Sequence, residues 1–163
     1  MRLWTVGYGA WPASQRAQRL VEALEARRIN HLIDVRLSPC ASNPRPEHRY
    51  GPRPWNLQAD GSGIVDLLGP PGITYEWLVE LGNPQRQDPE QTILRNHLAD
   101  PEGGWPVHRG LALLAQRVRS PGVVVALLCA CGDPFRCHRS TIAQALNALH
   151  FAGELSVRDV GGG

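Results

Sequence analysis

Val123 to His138 reads VVVALLCACGDPFRCH, and Arg139 and the helical pattern STIAQALNAL follow at once. A run of β-branched and apolar residues ends in two cysteines and a Gly-Asp-Pro turn. Arg136, Cys137, His138 and Arg139 then stand where a helix should begin. In an open α/β sheet ligands bind at such a place, because the carboxyl end of a strand meets the positive amino end of a helix. This stretch therefore sets the expected fold class and the expected site together.

Working outward, Leu3 to Val6 is a short apolar run stopped by Gly7-Tyr8-Gly9, the pattern of an inside strand ending in a glycine loop. From Ser14 to Arg28 the apolar positions Ala17, Leu20, Val21 and Leu24 recur at helical spacing, with Arg16, Arg19, Glu22 and Glu25 on the other face. His31 to Arg36, HLIDVR, reads as a second buried strand. Strand, helix, strand in this rhythm implies a right-handed parallel crossover. The expected fold is a three-layer α/β domain, Rossmann-like, with helices on both faces of a central, mostly parallel sheet whose strands include residues 3–7, 31–36 and 123–129.

Asp34 and Arg36 lie two residues apart on that second strand and so point to one side. They are either an ion pair that closes the strand or an arginine facing a bound anion with Asp34 orienting it. Residues 37–63 hold prolines at 39, 44, 46, 52 and 54 among Arg45, His48, Arg49, Tyr50, Arg53 and Trp55. That composition predicts an irregular binding loop or lid, and its arginine and aromatic interleaving suits nucleic acid as well as solvent. GITYEWLVELG, residues 72–82, predicts a short strand or turn and then helical turns, with Tyr75, Trp77 and Leu78 as core anchors. Asp88-Pro89-Glu90-Gln91 carries a capping pattern that predicts a helix over 89–99. A further helix is expected from Pro106 to the Ser120-Pro121-Gly122 stop.

Composition narrows the chemistry. The chain of 163 residues fits one domain, which buries roughly two thirds of its unfolded surface without disulfides. It contains no lysine: all 17 basic residues are arginine. Lysine Schiff bases, a lysine-anchored pyridoxal cofactor and a Walker A loop are thereby excluded, and anions must be held by arginine forks or backbone amides. The net charge of +2 argues for no particular partner. Cys40, Cys129, Cys131 and Cys137 are too few for a disulfide scaffold and read as reduced thiols of a cytoplasmic protein. The amino terminus lacks a long apolar stretch and no window approaches the roughly 20 apolar residues of a membrane span, so a soluble, unprocessed chain is expected.

The motifs WTVGYG, LIDVRLSP, ITYEWLVELGN and LLCACGDPFRCHRSTIAQAL, in this order, resemble the bacterial domain-of-unknown-function family 488. The resemblance implies a compact three-layer α/β fold in a cytoplasmic prokaryotic protein and carries no established reaction. Leu127, Leu128, Cys129, Ala130, Cys137, His138 and Arg139 match the family's last motif, whereas Cys131 stands where that motif commonly has glutamate. A thiol can replace a carboxylate as nucleophile or metal ligand but is not a fixed anion at its ordinary pKa of ~8.5.

Three chemistries fit the region. An anion site would use the amino end of the last helix with Arg136, Arg139 and Arg36 to hold a phosphate, nucleotide or carboxylate. Thiol chemistry, rhodanese-like sulfur transfer or redox, would use Cys131 at the strand end; phosphatase chemistry fails because four residues, not five, separate Cys131 from Arg136. Metal binding by Cys129, Cys131, Cys137 and His138 would require C-x-C-x5-C-H, which is no usual knuckle spacing, and Cys129 reads as an apolar filler within the sheet. The candidate site therefore gathers Gly7, Tyr8, Gly9, Asp34, Arg36, Arg136 and Arg139 as ligand-binding residues and Cys131, Cys137 and His138 as catalytic ones. A small anionic ligand is the expected partner, nucleic acid an alternative; no residue is assigned to a metal and no cofactor is specified. Enzyme and binding module both stay open.

Overall fold

The structure, a computed structural model, describes residues 1–37, 63–85 and 88–161. The arginine-rich loop expected over 37–63, with Cys40, lies outside the described residues apart from its two end positions.

Five strands, β1 (Arg2–Gly7), β2 (His31–Asp34), β3 (Thr74–Trp77), β4 (Val125–Cys129) and β5 (Ser156–Asp159), form one sheet in the order β3-β2-β4-β1-β5. Every pairing is parallel. Five helices accompany it: α1 (Arg16–Ala26), α2 (Ile64–Leu68), α3 (Thr92–Ala99), α4 (Pro106–Arg119) and α5 (His138–His150). Parallel strands buried on both faces need continuous apolar runs, and VALLC in β4 is buried at every position.

The alternation of side chains along the strands divides the core in two. Val6, Leu32, Ala126 and Leu128 pack with Leu20 and Leu24 of α1 and Ile64 and Leu68 of α2. Leu3, Ile33, Leu127 and Cys129 pack with Leu94 of α3, Leu111 and Leu114 of α4 and Ile142 and Leu146 of α5. The fold is thus the expected three-layer α/β arrangement, and no described helix is long and apolar enough to cross a membrane.

One expectation needs correcting. Asp88 does not open α3: its carbonyl accepts from the Gln91 N–H at 3.1 Å, Gln91 adopts a left-handed backbone at φ 55°, and the helix begins at Thr92. Pro89 and Glu90 thus belong to a turn that the Asp88 carboxylate closes by accepting from the Glu90 N–H. β5 lies outside the strands named from the sequence: SVRD is short and mostly exposed, so it lacks the apolar run that marks the inner strands.

The topology sets the site. The crossover from β1 to β2 passes over β4 with α1 on one face, and that from β4 to β5 passes over β1 with α5 on the other. The loops leaving β1 and β4 therefore lie against each other at the carboxyl edge. Glycine makes this possible: a Cβ on Gly7 would sit 1.9 Å from the Cys131 carbonyl oxygen, and one on Gly9 2.2 Å from that of Ala130.

Candidate functional site

The carboxyl ends of β1, β2 and β4 share one edge, as expected, but the sheet divides the candidate residues into two clusters. Asp34, Arg36, Tyr8 and Tyr75 lie toward the α1 side; Cys129, Cys131, Cys137, His138 and Arg139 gather toward α5.

In the first cluster Asp34 is fully buried and Arg36 is 6 % exposed. The Arg36 Nε–H donates to both carboxylate oxygens of Asp34, at 2.8 and 3.0 Å, and the Arg36 backbone N–H donates to Oδ1 at 2.9 Å. A second guanidinium nitrogen also contacts Oδ2. The Tyr75 hydroxyl donates to Asp34 Oδ2 at 2.7 Å, and Arg36 donates to the Tyr8 hydroxyl at 3.1 Å. Burial weakens the Arg36 cation, yet its hydrogen bonds to the Asp34 carboxylate and that group's negative charge outweigh it and hold the guanidinium charged. Burial likewise pushes the Tyr8 hydroxyl up to about 12, so it stays protonated. Tyr75 and Trp77, expected as core anchors, are half-buried and serve this cluster: the indole N–H of Trp77 donates to the Arg36 carbonyl at 2.8 Å. Their polar atoms were the available signal, because a half-buried Tyr or Trp needs a partner for its hydroxyl or indole N–H.

The second cluster rests on the end of β4, the turn after it and the start of α5. The sulfurs of Cys129, Cys131 and Cys137 all lie within 4.8 Å of one another, and Cys129 and Cys131 are 3.8 Å apart. Cys129 and Cys137 are buried, whereas Cys131 is exposed. His138 is buried behind them. Its Nε2–H donates to the Val35 carbonyl at 2.7 Å, which turns Nδ1 toward Cys129 Sγ at 3.8 Å. Burial disfavours the imidazolium, but the contacts with Cys137 and the Val35 carbonyl outweigh it and raise the His138 pKa.

These contacts divide the sulfurs by charge. Hydrogen bonds from Cys129 and Cys137 favour the Cys131 thiolate, aided by the charges of His138 and Arg139, and its pKa falls far below the ordinary thiol value. Those same bonds, together with burial, keep Cys129 and Cys137 protonated. The amino end of α5, whose first residue follows Cys137 directly, adds its positive pole.

Arg139 is the second residue of α5 and is completely buried. It donates to the Cys131 carbonyl at 2.8 Å and to Asp159 Oδ2 at 3.2 Å, and Thr5 Oγ1 donates to the same Asp159 oxygen at 2.6 Å. Arg139 thus ties the β4 turn to β5. Asp159 escaped the sequence reading because its strand did. Arg136 is exposed on the turn over the cluster, next to Phe135, which is 95 % exposed. Gly7 and Gly9 supply room for the β4 turn.

The family model described as Domain of unknown function DUF488 matches residues 49–146, a span that includes α2, β3, α3, α4, β4 and the first part of α5. No curated protein and no solved structure matches the chain. With more than half of its residues inside that match, and with the sulfur cluster and its histidine among them, the chain belongs to the DUF488 family.

Proposed function

We propose that this domain performs thiol–disulfide exchange at the carboxyl edge of its sheet, with Cys131 as the attacking sulfur and Cys129 as the sulfur that resolves it. One observation carries the reading: three sulfurs lie within 4.8 Å of one another and only Cys131 is exposed. An exposed sulfur can meet a substrate, and a buried neighbour 3.8 Å away can displace what it has bound. A buried cysteine that merely fills the core needs neither neighbour nor exposure.

The Cys131 thiolate attacks one sulfur of a substrate disulfide, forms a mixed disulfide and expels the first substrate thiolate. The Cys129 sulfur then attacks Cys131 and expels the second substrate sulfur, which takes the Cys129 proton. The domain ends with a Cys129–Cys131 disulfide, and both electrons have passed to the substrate, which leaves as one thiolate and one thiol. The nearby resolving sulfurs favour this exchange over storage of a persulfide on Cys131.

The anion-site reading has less support. Arg36 and Arg139 are both engaged with aspartates, Asp34 and Asp159. Exposed Arg136 and the amino end of α5 stand beside a sulfur that already favours negative charge. The nucleic-acid alternative rested on a loop outside the described residues.

The test is to challenge the reduced protein, with Cys40→Ser as the background for every variant so that the cluster holds the remaining thiols, with an aromatic disulfide. A second thiolate should be released for each molecule that reacts, and peptide mapping should find Cys129 joined to Cys131. Cys131→Ser should release none. Reaction that stops at the mixed disulfide, or that persists in Cys131→Ser, contradicts the proposal.

A further inference from the structure

We infer that Cys129, Cys131 and Cys137 also form a binding site for one Zn2+ ion, with the fourth coordination position open on the solvent side of Cys131. The inference rests on the reading of this cluster as a thiol site and names the ion that would hold it. A bound ion would take the attacking sulfur out of exchange.

Geometry is the first support. Zinc–thiolate bonds of about 2.3 Å at tetrahedral angles place sulfurs about 3.8 Å apart. Cys129 and Cys131 have that separation, and Cys137 closes the triangle within 4.8 Å of both. The ligands come from a strand end, the turn after it and the residue preceding α5, so two of the three are anchored by regular elements.

The surroundings agree with a thiophilic cation. The sulfur triangle contains no carboxylate, which disfavours calcium and magnesium. Three thiolates and one Zn2+ leave a net negative charge, and Arg139 on the Cys131 carbonyl together with the amino end of α5 lies next to it. Behind the triangle, His138 donates to the Val35 carbonyl and packs its other nitrogen on Cys129. That is the kind of support that orients metal ligands from outside the coordination sphere. His138 is thus a positioning residue here. The spacing C-x-C-x5-C-H looked unlike a metal site because it lacks paired knuckles, but the turn after β4 folds Cys137 back onto the strand end.

The experiment uses the full chain, reduced and treated with chelator. Titration with Co2+ should produce a thiolate-to-cobalt charge-transfer band that saturates at one ion per chain, and Zn2+ should abolish it. His138→Gln should weaken Zn2+ binding about 10- to 100-fold, and Cys131→Ser, whose side chain is exposed, should weaken it more while leaving the circular dichroism spectrum unchanged. A missing band, or equal Zn2+ affinity in Cys131→Ser, overturns the inference. A missing band in protein that still forms the Cys129–Cys131 disulfide overturns the zinc site alone. A saturable band in protein that forms no internal disulfide supports the zinc site and overturns the exchange reading.

Discussion

The Nε2–H of His138 donates to the backbone carbonyl of Val35 at 2.7 Å, and this bond fastens the start of α5 to the end of β2. Only a ring held this way can turn Nδ1 steadily toward Cys129. Removing the ring leaves a buried carbonyl without its donor, which costs about 1–3 kcal/mol. His138→Ala should therefore lower the denaturant midpoint, and His138→Gln, which keeps an N–H donor, should lower it less. Equal losses in the two variants would mean that ring packing rather than the bond matters.

Arg139 joins the Cys131 carbonyl to Asp159 with no exposure to solvent. Arg139→Ala leaves the Cys131 carbonyl without this donor and Asp159 with only Thr5 Oγ1 and the Gly161 N–H. Because the Asp159 side chain is 20 % exposed, the loss should fall below the about 3–5 kcal/mol of breaking a fully buried pair. Arg139→Lys should recover only part, because an ammonium lacks the planar fork that reaches both partners. Chemical unfolding of the two variants checks this, and full recovery by lysine would refute the bridging role.

Gly7→Ala tests the interlock of the β1 and β4 loops. Its Cβ would fall 1.9 Å from the Cys131 oxygen and 2.5 Å from Arg139, so either the β4 turn or the arginine must shift. A loss of about 3 kcal/mol or more is expected, beyond the usual range for overpacking because the nearest atom is backbone. Thermal unfolding gives the result; a cost under about 1 kcal/mol would mean that the loops yield.

Glu76 accepts hydrogen bonds from Arg117 at 3.0 and 3.1 Å and lies 2.9 Å from His31 Nε2. Burial raises its pKa, but the Arg117 bonds and His31 outweigh it and bring it below 4.5, the ordinary value. A carboxylate whose folded pKa is depressed stabilises the fold above its unfolded value, and that contribution disappears as pH falls through the folded one. Glu76→Gln should therefore cost about 1 kcal/mol near neutral pH, a figure kept small by solvent screening, and the gap should close as pH drops below about 4.5. Parallel stability curves for the two proteins across that range would refute the account.

The inner strands were legible in the sequence because each is a continuous apolar run, and the Cys131 to Arg139 region because such a run ends there in polar residues. The division of the site by the sheet was harder to read. Asp34 and Arg36 share a side because they are two residues apart, but which side depends on where β4 inserts between β1 and β2, and that is a property of strand order. Strand order also sets the close approach of Gly7 and Gly9, legible in the sequence as a loop, to the backbone of the β4 turn. Asp159 was hidden for a different reason: an exposed edge strand keeps polar residues that resemble a loop. The closeness of Cys137 to Cys129 arises in the turn at Pro134–Arg136, whose Asp133 carboxylate caps it by accepting from the Phe135 N–H.

The most direct test of a thiol site centred on Cys131 is the rate at which each cysteine of the native, reduced, metal-free protein is alkylated by iodoacetamide near neutral pH, followed peptide by peptide by mass spectrometry. Cys131 should be modified first and much faster than an ordinary thiol, because it is exposed and favoured as the thiolate, while Cys129 and Cys137 should react only on unfolding. If Cys131 reacts no faster than the buried pair, the cluster is packing and the account fails.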